Sequence, residues 1–167
     1  MVRRSITLVS AVVCGVIFSQ LPEYTQQYRQ RLGGAVDELQ AVVASFDADA
    51  SRVGYSRPQA IAALARAEDP FPRERATSVQ ETIERYERLT RQQEAFRTAG
   101  PFGRMAVLAE DFDPKLAENA WADFEPAVPT TVEGAAAGGI GAVIGVLLVG
   151  MLGVFGGRRR RRRATVV

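Results

Sequence analysis

The chain has 167 residues, a formal net charge of +2, no histidine and one cysteine, Cys14. An intramolecular disulfide is therefore impossible, a histidine-based nucleophile triad has no base, and a Cys/His zinc site has no ligand set. Arg3, Arg4 and six arginines near the C-terminus supply eight of the twenty-one positive charges, leaving thirteen among residues 23–133 with all nineteen acids, a net of −6. The basic isoelectric point thus belongs to two flanks of apolar sequence rather than to a nucleic-acid-binding face.

Residues 6–18 follow Arg3-Arg4 as thirteen largely apolar positions, the layout of a secretory signal. No small-x-small cleavage pair precedes Ser19-Gln20-Leu21-Pro22, and Ile17 stands where a small residue is wanted. Ala11-Val12-Val13 is also a poor approach to a lipidated Cys14. A helix over residues 2–21 covers about 30 Å, with the arginines snorkelling to the interface. The favoured reading is a retained transmembrane anchor over residues 1–21, with a cleaved signal as the alternative.

Pro22-Glu23 restarts a helix, proline suiting the first turn and the acid complementing the dipole. Leu32, Val36, Leu39, Val43, Phe46, Ala50 and Val53 then form a 4-3 repeat. Such a seam is either one side of an intramolecular core or a homo-oligomeric coiled coil. Gly33-Gly34 weakens this helix by about 1 kcal/mol per glycine and marks a bend or a close contact. Val53-Gly54-Tyr55 ends it. Ser56-Arg57-Pro58-Gln59 is a capping box opening a short helix through Ile61 and Leu64.

Asp69-Pro70-Phe71-Pro72 breaks that helix, and a long one is predicted from about residue 74 to 98, with Val79, Ile83, Tyr86, Leu89 and Phe96 as its stripe. Glu81–Arg85, Glu84–Arg88 and Glu87–Arg91 are acid-first i,i+4 pairs on a solvated face, each contributing about 0.2–0.5 kcal/mol. Gly100-Pro101 turns the chain into a helix over residues 102–112. Asp113-Pro114 caps a last one carrying Leu116, Trp121 and Phe124, the two aromatics read as core anchors. No run alternates as a strand. The simplest packing for residues 22–129 is an antiparallel hairpin of the two long stripes, covered on one side by the shorter helices.

Residues 132–155 form a second apolar stretch whose one charge is Glu133. As a helix it reaches roughly 36 Å against a hydrocarbon core of about 30 Å. Thr130-Thr131-Val132-Glu133 reads as its capping box, opening a Gly-rich span over residues 130–156. Gly134, Gly138, Gly141 and Gly145 share one face at spacings of 4, 3 and 4, a packing face for another span, which Gly150, Gly153 and Gly157 extend. Arg158, Arg159, Arg160, Arg161, Arg162 and Arg163 begin a polybasic tail over residues 157–167. Each costs about 3 kcal/mol at the bilayer centre, so the run is a topology stop, and it attracts anionic lipid at about 1 kcal/mol per residue. Only Lys115 opposes it on the other flank. Both termini are expected in the cytoplasm, and residues 22–131 are exported whether the first segment is retained or cleaved.

Searching for chemistry leaves only carboxylates. Glu110, Asp111 and Asp113, or Asp47 and Asp49, lack the spacing of a calcium loop and read as helix-end acids. Gly138-Gly139-Ile140-Gly141 lies inside the span, not between a strand and a helix, so it is no phosphate cradle. We expect no enzyme activity, cofactor or metal, and neither nucleic acid nor small-molecule substrate as a partner.

Ser19-Gln20-Leu21-Pro22-Glu23, Gln26-Gln27-Tyr28 and Gln30-Arg31-Leu32-Gly33-Gly34 resemble the opening of a family of uncharacterised proteobacterial inner-membrane proteins built around a domain of unknown function. The resemblance implies a retained anchor, a helical middle, a late span with basic residues, and a bacterial inner membrane. It brings no activity. It directs attention to Gln26, Gln27, Gln30 and Arg31, as a partner contact or a polar juxtamembrane face. The resulting expectation is an all-α membrane protein with two transmembrane helices flanking a small helical-hairpin domain. It would be non-enzymatic and bound to membrane lipids, presenting an acidic periplasmic domain for self-association or an envelope complex. The alternative is an accessory subunit of a transporter or respiratory complex, docked through the glycine face; a carboxylate-based membrane hydrolase is a distant third.

Overall fold

The computed structural model describes residues 2–163, with side chains described through residue 152. The described residues form α1 (Val2–Ser19), α2 (Leu21–Arg52), α3 (Arg57–Ala65), α4 (Pro70–Thr98), α5 (Pro101–Glu110), α6 (Pro114–Ala122) and α7 (Val132–Arg163), with no strand among them. Two helical stretches are long and apolar enough to cross a membrane: one runs from the N-terminus and the other is Val132–Leu152. The chain divides into two compact units, Met1–Gln26 with Trp121–Val167, and Gln27–Ala120.

In the Gln27–Ala120 unit, α2 and α4 pack antiparallel. Val43 meets Val79 and Ile83, joined by Phe46, Ile61 and Tyr86, while Tyr28, earlier on α2, meets Gln92 and Phe96, later on α4. Leu32, Val36, Val43 and Ala50 are buried, so the 4-3 seam is spent on a core within the chain. Val53 does not join it: α2 stops at Arg52 and Val53 is 68% exposed. Gly54, at φ +78°, supplies the left-handed residue that lets Tyr55 N–H return to the Ala50 carbonyl at 2.9 Å.

Gly33-Gly34 does not break α2. Gly34 is in open space and Gly33 lies beside the Gln93 side chain. Packing of Tyr28, Leu32 and Val36 on either side outweighs the propensity loss, as tertiary contacts usually do. Helix α4 starts four residues earlier than the prolines suggested. Asp69 caps it by accepting from Phe71 N–H at 2.8 Å. Pro70 and Pro72 fall in the first turn, where a missing N–H breaks no helical bond. Ser56 and Gln59 form the predicted capping box on α3. The i,i+4 ladder on α4 is not what engages Arg85, which turns instead to Asp113 at 3.3 Å.

Candidate functional site

Helices α1 and α7 pack backbone to backbone. A Cβ added at Gly145 would stand 2.5 Å from the Ser10 carbonyl oxygen. One at Gly141 would stand 2.5 Å from the Cys14 oxygen and 2.6 Å from Phe18 Cβ, and one at Gly138 3.2 Å from the Gly15 oxygen and from Ser19 Cβ. Position numbers rise along α1 as they fall along α7, so the pair is antiparallel. Small residues permit this approach, since any side chain at the contact would hold the helices apart. Ser10 Oγ adds a bond between the helices, donating to the Gly145 carbonyl at 3.0 Å.

Three of the four predicted glycines therefore face α1. Gly134 does not: it sits in its own N-terminal turn against Pro129 and Thr131. Thr131 Oγ1 accepts from Gly134 N–H at 3.1 Å, so the cap is one residue later than expected and Glu133 is out of register to complete a capping box. Gly150 does not extend the contact, having nothing within 4 Å. The backbone of α7 continues as helix to Arg163, while the surroundings of Gly153 and Gly157 and the side chains of Arg158–Arg163 lie outside those described. Sequence reasoning missed the complementary face of α1, although its signal was present: Ala11, Gly15 and Ser19 recur every fourth residue, with Ser10 and Cys14 alongside. The outward surface of the pair is apolar and exposed, with Val9, Val13, Val16 and Ile17 on α1 and Ile140, Val143, Leu147 and Leu148 on α7.

The two ends of the pair differ. Antiparallel packing puts Arg3 and Arg4 at the end where α7 runs into its arginines, and both line a recess with Thr7, Leu8, Ala11 and Val146. At the other end Trp121 and Phe124 stack, with centroids 5.9 Å apart and planes 8° apart. Tyr24 meets them edge-on at 6.1 and 5.9 Å. Gln20 ties this end together by accepting from Ala127 N–H at 3.0 Å. Trp121 is 70% exposed, which corrects its reading as a core anchor: α6 turns Leu116 and Ala120 inward and leaves the indole outside.

The second cluster lies in the Gln27–Ala120 unit. Tyr28 is fully buried; its hydroxyl donates to Gln92 Oε1 at 3.0 Å and accepts from Asp113 N–H at 2.8 Å. Gln92, also buried, donates to the Asp111 carbonyl. Asp113 pairs with Arg85 and accepts from Leu116 N–H at 3.0 Å. Burial alone would raise the Asp113 carboxyl, but the Leu116 N–H and Arg85 bonds hold it below its ordinary value. Beside this cluster Arg29 lies 6.0 Å from the Phe96 ring centre. Burial, helped by the charge of Arg104, pushes its guanidinium down, and Arg104 Nε is buried without a hydrogen-bond partner.

The glutamine-rich stretch is divided. Gln26 and Gln30 are exposed, whereas Gln27 and Arg31 are half-buried and engaged by neighbours. Asp47 pairs with Arg57 through a bond of 2.7 Å from Nε, and Asp49 pairs with Arg52. Among the described residues no group of three acids or thiols converges on a cation position.

The model of the family described as "Protein of unknown function (DUF2937)" matches residues 2–163, and the chain belongs to that family. No curated protein and no solved structure matches the chain.

Proposed function

We propose that this member of a family of unknown function is a non-enzymatic, two-span protein of the bacterial inner membrane. It holds an acidic helical region, residues 22–129, on the periplasmic side, with both termini in the cytoplasm. The observation that carries the reading is the segregation along the α1–α7 pair. Small residues face inward, apolar side chains face outward, the N-terminal arginines and the arginine run share one end, and the aromatic group closes the other. The positive-inside bias then puts the arginine end in the cytoplasm. Retention of α1 is supported because it supplies half of the packed surface; cleavage would leave Gly141 and Gly145 without the backbone they meet.

The acidic region between the spans is the part offered to other proteins, through self-association or an envelope complex, and Gln26 and Gln30, exposed near the start of α2, are candidate contacts. An accessory subunit docked through the glycine face has less support, since α1 already covers Gly138, Gly141 and Gly145. Reporter fusions after Pro129 and after Val167 should report opposite sides of the membrane, and the mature protein should keep the mass of residues 1–19. Matching sides would overturn the two-span scheme, and a mature chain lacking α1 would overturn the retained anchor.

A further inference from the structure

We propose that Trp121, Phe124 and Tyr24 form an anchor that seats their end of the α1–α7 pair in the lipid headgroup and glycerol layer. This rests on the two-span reading and adds a surface with a stated occupant. Trp121 is among the most exposed large side chains described, yet it is not loose: it stacks on Phe124, and Tyr24 braces both rings. A braced ring assembly whose indole is 70% exposed is poorly suited to water. It suits a layer apolar on one side and wet on the other, where indole and phenol place a ring body and a polar tip in different media.

Its position fits that layer. Tyr24 lies five residues beyond the end of α1, and Trp121 and Phe124 precede the start of α7. From Val132 to the first arginine of the run, α7 rises about 39 Å at about 1.5 Å per residue. The hydrocarbon core takes about 30 Å of that, and the whole bilayer with its headgroups about 40–45 Å. With the arginines in one headgroup layer, the aromatic group falls in the other.

Trp121 is the chain's only tryptophan, so tryptophan emission, excited selectively over the four tyrosines, reports this site alone. The full chain would be reconstituted into phosphatidylcholine–phosphatidylglycerol vesicles carrying lipids brominated at shallow or deep acyl positions. The expected result is a blue-shifted emission, weak quenching by aqueous acrylamide, and stronger quenching by shallow than by deep bromines. Tyr24→Ala and Phe124→Ala should each increase acrylamide quenching. If the protein floats with the vesicles and both spans are protected from protease, yet bromolipids do not quench, the anchor is wrong while the two-span reading stands. Stronger quenching by deep bromines would also overturn the anchor, as would indifference to both alanine variants. Failure to float, or cleavage within α7, would overturn the two-span reading and the anchor with it.

Discussion

Alanine at Gly141 should separate α1 from α7, whereas alanine at Gly139, two residues away, should not. The new Cβ at Gly141 would stand 2.5 Å from the Cys14 oxygen and 2.6 Å from Phe18 Cβ; at Gly139 it meets nothing within 4 Å. Comfortable heavy-atom separations are about 3.5 Å or more, so the helices must move apart by roughly 1 Å, and such a gap forfeits a quarter to a half of each contact's attraction. Overpacking of this kind costs about 1–3 kcal/mol. The Ser10–Gly145 bond would stretch as well, and bonds between membrane helices contribute about 0.6 kcal/mol on average. The total, about 2–4 kcal/mol, is on the order of a hundredfold in the packing equilibrium. Cys14, half-buried and the chain's one thiol, gives the readout. The protein is titrated from mild detergent into SDS and Cys14 alkylation is followed by gel shift. Gly141→Ala and Gly145→Ala should expose the thiol at lower SDS than wild type; Gly139→Ala should match wild type. If Gly141→Ala and Gly139→Ala behave alike, the helices do not meet at these glycines.

The remaining predictions concern the Gln27–Ala120 unit. Tyr28→Phe leaves the Asp113 N–H and the Gln92 carbonyl oxygen without their partner and should cost about 1–3 kcal/mol by thermal unfolding. Phe71→Ala, at a 77% exposed position, should stay within about 0.5 kcal/mol; equal effects would refute the network. Asp113 is held below its ordinary value because the Leu116 and Arg85 bonds outweigh burial, and Asp47 because of the Arg57 bond. A depressed carboxyl stabilises the fold above its unfolded pKa, and that contribution is lost as pH falls through the folded pKa. The melting temperature should therefore hold down to about pH 5 and drop below about pH 4. Asp113→Asn should lower it at neutral pH and flatten the acid slope; an unchanged slope would count against the pairing. Arg104→Met removes a buried, unpartnered Nε beside Arg29 and should be neutral or stabilising, so a loss above about 1 kcal/mol would mean the guanidinium has a partner.

Much of the helical layout was legible because local chemistry and global packing agree. Ser56 and Gln59 cap α3, the Val79-to-Phe96 stripe faces the core, and Leu32, Val36, Val43 and Ala50 of the 4-3 seam on α2 are buried, with Leu39 and Phe46 half-buried. The misreadings have separable causes. Proline read as a breaker puts the start of α4 too late, whereas the place of Pro70 and Pro72 in the first turn decides their effect. Residue type alone makes Trp121 a core anchor, but the helix phase that buries Leu116 and Ala120 turns it outward. Gln92 lay unnoticed because a buried amide is invisible to a hydrophobic pattern; only a partner as distant as Tyr28 reveals it. On α7 the glycine spacing was clear, but what those glycines meet was not. Recognising that requires the same periodicity in α1, where Ala11, Gly15 and Ser19 are spaced among larger apolar residues that mark the segment only as an anchor.

That last point changes where association must be sought. In lipid, apolar surface alone drives no pairing, so close packing by small residues is the main source of helix affinity. This chain uses that face on itself: Gly138, Gly141 and Gly145 are covered by Ser10, Cys14, Gly15 and Ser19. The outward surface around Val9, Val13, Val16, Val143 and Leu147 carries branched side chains that keep a second helix at a distance. Any self-association should therefore run mainly through the acidic region between the spans. Gly138→Ile, at a site where even a methyl would stand 3.2 Å from α1 atoms, should then destabilise the single chain before it alters any dimer. Cross-linking across an SDS titration separates the two effects. Loss of dimer while Cys14 stays protected would return the glycine face to an intermolecular role; exposure of Cys14 first would keep it within the chain.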